Sequence, residues 1–254
     1  MKIGLFGFGK TGRAVTTAIL NNKEHTLEWV VRKTKTLDHR SAPEFLGIES
    51  SEPGLIYSIE DLTEVFGSER LKVDAIIDFS SPDSVHEYAE YAMEKRIAVV
   101  SAISKYGEEG LARLREIAAR APVLWSPNIT VGINFLIIAA KVLQRIAPYA
   151  DVEIIEEHFK AKTEVSGTAK IIATHLNKDI DCIKTIRAGG IIGRHEILFG
   201  FPYQTVRLSH ESISREAFGN GALFALDHLR DRANGLYTME DIMAEYFAPA
   251  FTAG

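Results

Sequence analysis

The segment GFGKTG, residues 7–12, stands directly after the short apolar run KIGLF (2–6) and directly before a stretch in which Val15, Ala18 and Ile19 recur at helical spacing. The order strand, G-x-G-x-x-G, helix restricts the fold more than any other feature of the chain. It calls for a parallel βαβ unit in which Gly7 makes the tight turn, Gly9 lets backbone approach a pyrophosphate and Gly12 allows helix to pack on strand. The helix start, with Phe8, Lys10 and Thr11 around it, offers unpaired N–H groups to phosphate. A glycine-rich turn without a ligand is the bland alternative, and the flanking strand and helix weigh against it.

The alternation continues. LEWVV (27–31), VDAIIDFS (73–80), IAVVS (97–101) and VLWS (123–126) read as strands, with helices over SPDSVHEYAEYAMEK and 107–120 between them. Ser81 is placed to cap the first of these helices and Pro82 to occupy its first position. The pattern predicts an α/β fold with a Rossmann-type doubly wound parallel sheet. From about residue 128 the rhythm changes to a long apolar helix (132–147), a strand VEIIEEH (152–158), a helix at 167–177, and then CIKTIRAG, IIGRHEILFGF and QTVRLSHESI. These last three runs, joined by GG and FPY, read as antiparallel neighbours. The expected division is a dinucleotide-binding domain at 1–127, with 217–254 packing back on it, and an α+β substrate and oligomerisation domain with a mostly antiparallel sheet at 128–216. In the closing helices Thr238 and Asp241 have the spacing of a capping pair.

Composition removes several function classes. A chain of 254 residues with 46% hydrophobic content buries a substantial core, and Lys+Arg 29 against Asp+Glu 34, net −5, gives no electrostatic reason to bind nucleic acid. The lone Cys182 forms no internal disulfide, and the apolar strand at the start replaces a signal segment, so a cytoplasmic protein is expected. VGINFLIIAAKVL, interrupted by Asn134 and Lys141, is too short for a membrane span and reads as a buried helix. The eight histidines show no H-x-x-x-H or H-E-x-x-H spacing, so no metal is expected, and His195 and His210 read as structural or interfacial.

Two stretches carry chemistry. In EEHFKAKTEVSGTA (156–169), His158 is the one group that titrates near neutrality, Lys162 is a second proton donor or an anion ligand, and Ser166-Gly167-Thr168 open a helix suited to a carboxylate. Plain N-capping is the competing account of Ser166 and Thr168, as a half-buried strand histidine is of His158. At the end of the second strand, VVRKTK places Arg32 and Lys33 where an NAD site offers an acid, which favours NADPH and leaves NADH possible. The same residues also read as a solvated basic loop.

The segments GLFGFGKTGRAV, AIIDFSSPDSV, SPNITVGINFL, DVEIIEEHFKAKTEVSGTA and IRAGGIIGRHEILFGF together resemble the dihydrodipicolinate reductase family. The resemblance implies a homotetramer that uses NAD(P)H to reduce a cyclic unsaturated imine dicarboxylate, 4-hydroxy-tetrahydrodipicolinate to tetrahydrodipicolinate, in lysine and diaminopimelate biosynthesis. It implies catalytic roles for His158 and Lys162, a substrate-carboxylate loop at Ser166, Gly167 and Thr168, and a phosphate loop at Gly7, Gly9 and Gly12. Asp78, Phe79 and Ser80 match the segment beside the cofactor ribose, and Pro127, Asn128 and Ile129 the stretch near the nicotinamide. Three departures stand out. Phe159 occupies the place of a second, substrate-binding histidine; the block before Ser166 is one residue short and lacks its proline; and the G-T-T-G loop reads SAIS, Ser101 to Ser104, with Ile103 in place of a threonine. The departures leave two further readings open: an imine reductase for a less polar ring, and a cofactor-binding regulator without catalysis.

Overall fold

The computed structural model describes residues 1–37 and 40–250. In chain order the first elements are β1 (Lys2–Phe6), α1 (Lys10–Leu20), β2 (Thr26–Arg32), α2 (Ala42–Leu46), β3 (Leu55–Ser58), α3 (Leu62–Gly67), β4 (Ala75–Asp78), α4 (Ser84–Lys95), β5 (Ala98–Ser101), α5 (Glu108–Ala118) and β6 (Pro122–Trp125). Then come α6 (Val131–Ile146), β7 (Asp151–His158), α7 (Gly167–His175), β8 (Ile183–Arg187), β9 (Arg194–Phe201) and β10 (Gln204–Glu211). The chain closes with α8 (Glu216–Leu229), β11 (Gly235–Tyr237) and α9 (Met239–Ala250). Two compact units result, one formed by Met1–Thr130 with the segment from Phe218 onward, the other by Val131–Ala217.

The first unit is a seven-stranded sheet in the order β11-β6-β5-β4-β1-β2-β3, and all its pairings are parallel. Parallel strands covered by helices lose their in–out alternation, and β4 and β5 are accordingly buried at every position. Aromatic packing dominates one side of the core, where Phe6 meets Trp29 edge-on at 5.8 Å and Tyr88 at 5.0 Å. The strand order reverses between β1 and β4, which opens a crevice at their carboxyl ends.

The second unit is a four-stranded sheet, β10-β9-β7-β8. Alternation is clear on β7, whose Val152, Ile154, Glu156 and His158 share the buried face. Val152 and Ile154 join Ile197, Phe199, Ile133, Leu136 and Ile172 in a core supplied by strands β7 and β9 and helices α6 and α7.

Two local expectations are corrected. Strand β8 does not neighbour β9; it runs parallel to β7, while β9 pairs antiparallel with the other edge of β7. The cause is the segment after β8, which crosses the end of β7, with Ala188 N–H donating to His158 O at 3.0 Å and Lys160 N–H to Gly189 O at 3.1 Å. Helix α4 begins at Ser84 instead of Pro82, because Ser84 N–H bonds Ser81 O at 3.1 Å and closes a turn first. Strands β3 and β11, four and three residues long at the sheet edges, carry too little pattern to be read from sequence. The Thr238 and Asp241 pair does cap α9, with Thr238 N–H on Asp241 Oδ2 at 2.8 Å and Asp241 N–H on Thr238 Oγ1 at 3.2 Å. No described helix is long and apolar enough to cross a membrane.

Helix α8 lies tightly on the first unit: a Cβ at Gly221 would fall 2.1 Å from Ile129 O. Gly221→Ala is therefore expected to lower stability by about 1 to 3 kcal/mol in urea unfolding, the usual cost of overpacking. Unchanged stability would mean that the helix sits further from residues 129–130 than described.

Candidate active site

In the first unit the backbone at the end of β1 is shaped for a phosphate group. Gly7 has φ +102°, a conformation that side chains disfavour, and a Cβ on it would press on Phe79 O at 2.7 Å. A Cβ on Gly12 would strike Gly7 O at 2.1 Å, whereas nothing lies within 4 Å of the corresponding point on Gly9. The turn is closed on the protein side and open above Gly9, where α1 begins and its first N–H groups are unpaired within the helix. These features fit a dinucleotide diphosphate.

Two cavities flank the turn. One, of about 320 Å³, is lined by Phe8, Gly9, Val31, Arg32, Lys33 and Ser84 among others, and the second, of about 480 Å³, by Thr11, Ile103, Lys105, Pro127, Ile129 and Phe218. Phe79 and Ser80 line both. The arrangement offers a nucleoside end beside the basic residues that follow β2 and a second ring end over β5 and β6.

Several residues singled out in the sequence do not line these two cavities. Asp78 is wholly buried, accepting from Ser80 N–H at 2.9 Å, from Tyr88 OH at 3.1 Å and, in a short contact, from Ser80 Oγ. Burial lifts its carboxyl to about 6, and the hydrogen bonds from Ser80 and Tyr88 hold it down against that effect. Ser101, also buried, bonds Tyr106 OH at 2.8 Å, and Trp125 Nε1 donates to Ile103 O at 2.9 Å, so the 101–106 loop is fixed from below. Asn128 has its carbonyl taken by Ser126 Oγ at 2.7 Å, Gly12 serves helix packing, and Lys10 points to solvent.

In the second unit the strand registers assemble a polar cluster. Pairing sets His195 of β9 opposite Glu156 and Arg187 of β8 opposite His158. Glu156, fully buried, takes both ends of the Arg187 guanidinium, Nη2 on Oε1 at 2.6 Å and Nη1 on Oε2 at 2.9 Å. Ser166 N–H adds 3.2 Å to Oε1, and His158 Nδ1 lies 2.5 Å from Oε2. Arg187 also holds the connecting loop, through Nε to Lys162 O at 2.8 Å and Nη2 to Glu164 O at 2.9 Å. Burial would raise the Glu156 carboxyl, but the hydrogen bonds from Arg187, His158 and Ser166 outweigh it and the net direction is down.

His158, Lys162 and the 166–168 segment are thus brought together in one unit. Burial pushes the imidazole of His158 and the ammonium of Lys162 below their ordinary values, opposed in each case by Glu156. Among the described residues the Lys162 ammonium makes no hydrogen bond or ion pair. The reading of Ser166 as a hydroxyl cap is corrected: its hydroxyl is 2.9 Å from His195 Nε2 and does not cap α7, and its N–H donates to Glu156. His195 is driven down to about 3 by burial and then by the His158 charge, so it is neutral. Among the described residues the N–H of Gly167, at the start of α7, is open to an anion. Phe159 is 41% exposed and offers an apolar surface.

Sequence reading missed Glu156, Arg187 and His195 as members of this cluster. The available signal was period-two spacing, which puts Glu156 and His158 on one face; the partners from β8 and β9 follow only from register. Elsewhere, Glu24, His25 and Asp227 stand together in the first unit, but His25 Nε2 is already 3.0 Å from Asp227 Oδ1, an ion-pair distance.

The family model described as Dihydrodipicolinate reductase, N-terminus, matches residues 1–129, and that described as Dihydrodipicolinate reductase, C-terminus, matches residues 129–243. A 4-hydroxy-tetrahydrodipicolinate reductase of Caldanaerobacter subterraneus is 33% identical over 74% of this chain and 81% of its own length. Another, of Thermosipho africanus, is 28% identical over 97% of this chain and 100% of its own. In structure, a dipicolinate-bound dihydrodipicolinate reductase from Paenisporosarcina sp. TG-14 superposes with a TM-score of 0.77 at 23% identity, covering 95% of this chain and 99% of the other, a likeness of fold.

Asp78 makes stability depend on pH. A carboxyl raised from about 3.9 when unfolded to about 6 when folded stabilises through its neutral form, fully so at the acid end and no longer once the pH has risen through about 6. Urea unfolding of the parent and of Asp78→Asn between pH 4 and 7 is expected to show the parent losing on the order of 2 to 3 kcal/mol relative to the variant as pH rises. A constant difference would mean that the carboxyl titrates normally.

Proposed function

This chain belongs to the dihydrodipicolinate reductase family, and on that premise we propose that it reduces 4-hydroxy-tetrahydrodipicolinate to tetrahydrodipicolinate in lysine and diaminopimelate biosynthesis. The net change takes up one hydride and one proton and releases the 4-hydroxyl as water. A reduced nicotinamide supplies the hydride. The observation that carries the reading is the set His158, Lys162 and the Gly167 N–H at the start of α7 in one unit, with a lysine ammonium that makes no hydrogen bond or ion pair among the described residues. An anionic ring receiving hydride and proton needs that combination. The α7 N–H groups and Lys162 hold a carboxylate, and His158 or Lys162 delivers the proton.

Gly7, Gly9 and the start of α1 hold the diphosphate, and Arg32 and Lys33, which line the first cavity, meet a 2'-phosphate, so NADPH is the preferred donor. The protein works in the cytoplasm as a homotetramer. A less polar cyclic imine is the second reading, favoured by exposed Phe159 and by Ile103 in the lining of the second cavity.

NADPH oxidation with freshly generated substrate, beside a panel of cyclic imines, tests the proposal. Turnover on the dicarboxylate supports it, and turnover only on less polar rings supports the second reading. Lys162→Ala is expected to lower kcat about a hundredfold or more with the KM for cofactor unchanged; an unaltered kcat removes Lys162 from the reaction. Arg32→Ala is expected to raise the KM for NADPH about tenfold to a hundredfold and leave that for NADH nearly constant. Equal effects on both cofactors would exclude a 2'-phosphate contact.

A further inference from the structure

Glu156 touches no open surface. Both carboxylate oxygens are occupied by the protein's own donors, from Arg187 on β8, from Ser166 at the start of α7, and from His158 on its own strand. Charge compensation needs only the Arg187 fork, which engages both oxygens. The contact with His158 Nδ1, at 2.5 Å, is an addition that selects a state of the imidazole. An ionised carboxylate accepts and never donates, so Nδ1 carries the hydrogen. In the neutral ring the lone pair is then confined to Nε2, which looks toward Gly193, where a Cβ would come within 3.1 Å of it. The ring would be displaced by any larger residue there.

We propose that Glu156 is a positioning residue for the reduction: it acts through His158, fixing the tautomer and ring plane so that Nε2 alone exchanges a proton with substrate, while Arg187 extends the same hold to the Lys162 loop. The proton leaves Nε2 of the imidazolium for the substrate, the ring becomes neutral with Nδ1–H retained on Glu156, and solvent restores the Nε2 proton afterwards. The groups facing His158 and Glu156 are Arg187 from β8, His195 from β9, and Lys162 and Ser166 from the connection to α7. Of these only Glu156 both touches the imidazole and favours its cationic form at contact distance. The inference rests on the function proposed above for its kinetic consequence, and its structural part stands apart from it.

Nitrogen-15 NMR of the histidine side chains in the full-length protein at about pH 8 reads the tautomer without any substrate. The parent is expected to show His158 as the Nδ1–H form, and Glu156→Gln to show a mixture or the Nε2–H form. The kinetic arm compares Glu156→Gln, His158→Gln and the double variant. Glu156→Gln is expected to lower kcat about tenfold or more at constant KM for cofactor, and to move toward acid the limb of the pH profile that His158→Gln abolishes. The double variant is expected to be no slower than His158→Gln alone, and Glu156→Asp, which keeps the charge, to regain part of the activity. An Nε2–H parent, or losses that multiply in the double variant, would overturn the proposal. If the dicarboxylate is not a substrate but the parent shows the Nδ1–H form, the functional reading fails while the hold of Glu156 on His158 stands.

Discussion

A carboxylate sealed inside a sheet is costly unless donors surround it, and the second unit of this protein is organised around one. Glu156 sits on the buried face of β7, and the strands and loop that neutralise it are those that hold His158 and Lys162. Remove the Arg187 fork and the charge is left unpaired in a dry site, a change that typically costs about 3 to 5 kcal/mol. Because the same guanidinium also binds the carbonyls of Lys162 and Glu164, the backbone of the loop that leads to α7 is held by the group that neutralises Glu156. The shortened block before Ser166, without its proline, is held by side-chain donors where chain stiffness is missing.

The first unit has a counterpart in Asp78, at the carboxyl end of β4 and under the crevice. The two acids resolve burial in opposite ways. Glu156 has four donors, two of them on a cation, and is pushed down; Asp78 has only hydroxyls and one N–H, and burial pushes it up to about 6. Asp78 can therefore afford to brace Ser80 and the Phe79 backbone against Gly7 without demanding a cationic partner that would compete for phosphate.

The dinucleotide half was legible because its signals are local. G-x-G-x-x-G needs no partner to be recognised, and continuous apolar runs such as AIID and AVVS announce covered parallel strands. His158, Lys162 and Gly167 were legible for the same reason, lying within one short segment. What stayed hidden depends on register and crossover: that β8 lies beside β7 and so delivers Arg187 to Glu156, and that β9 delivers His195 to Ser166. Ser166 itself was misread because its residue type suits a cap, and only the tertiary partner shows that its hydroxyl is used elsewhere. Short edge strands such as β11 are defined by the neighbour they pair with, and three residues carry no period of their own.

The most direct measurement is a crystal structure of the protein with NADPH and pyridine-2,6-dicarboxylate, a flat mimic of the product ring. The account predicts one ring carboxylate on the Lys162 ammonium and the first-turn N–H groups of α7, with Glu156 still holding His158 and Arg187. A ring bound away from α7, or a Lys162 side chain turned from it while Glu156 exchanges its partners, would contradict it.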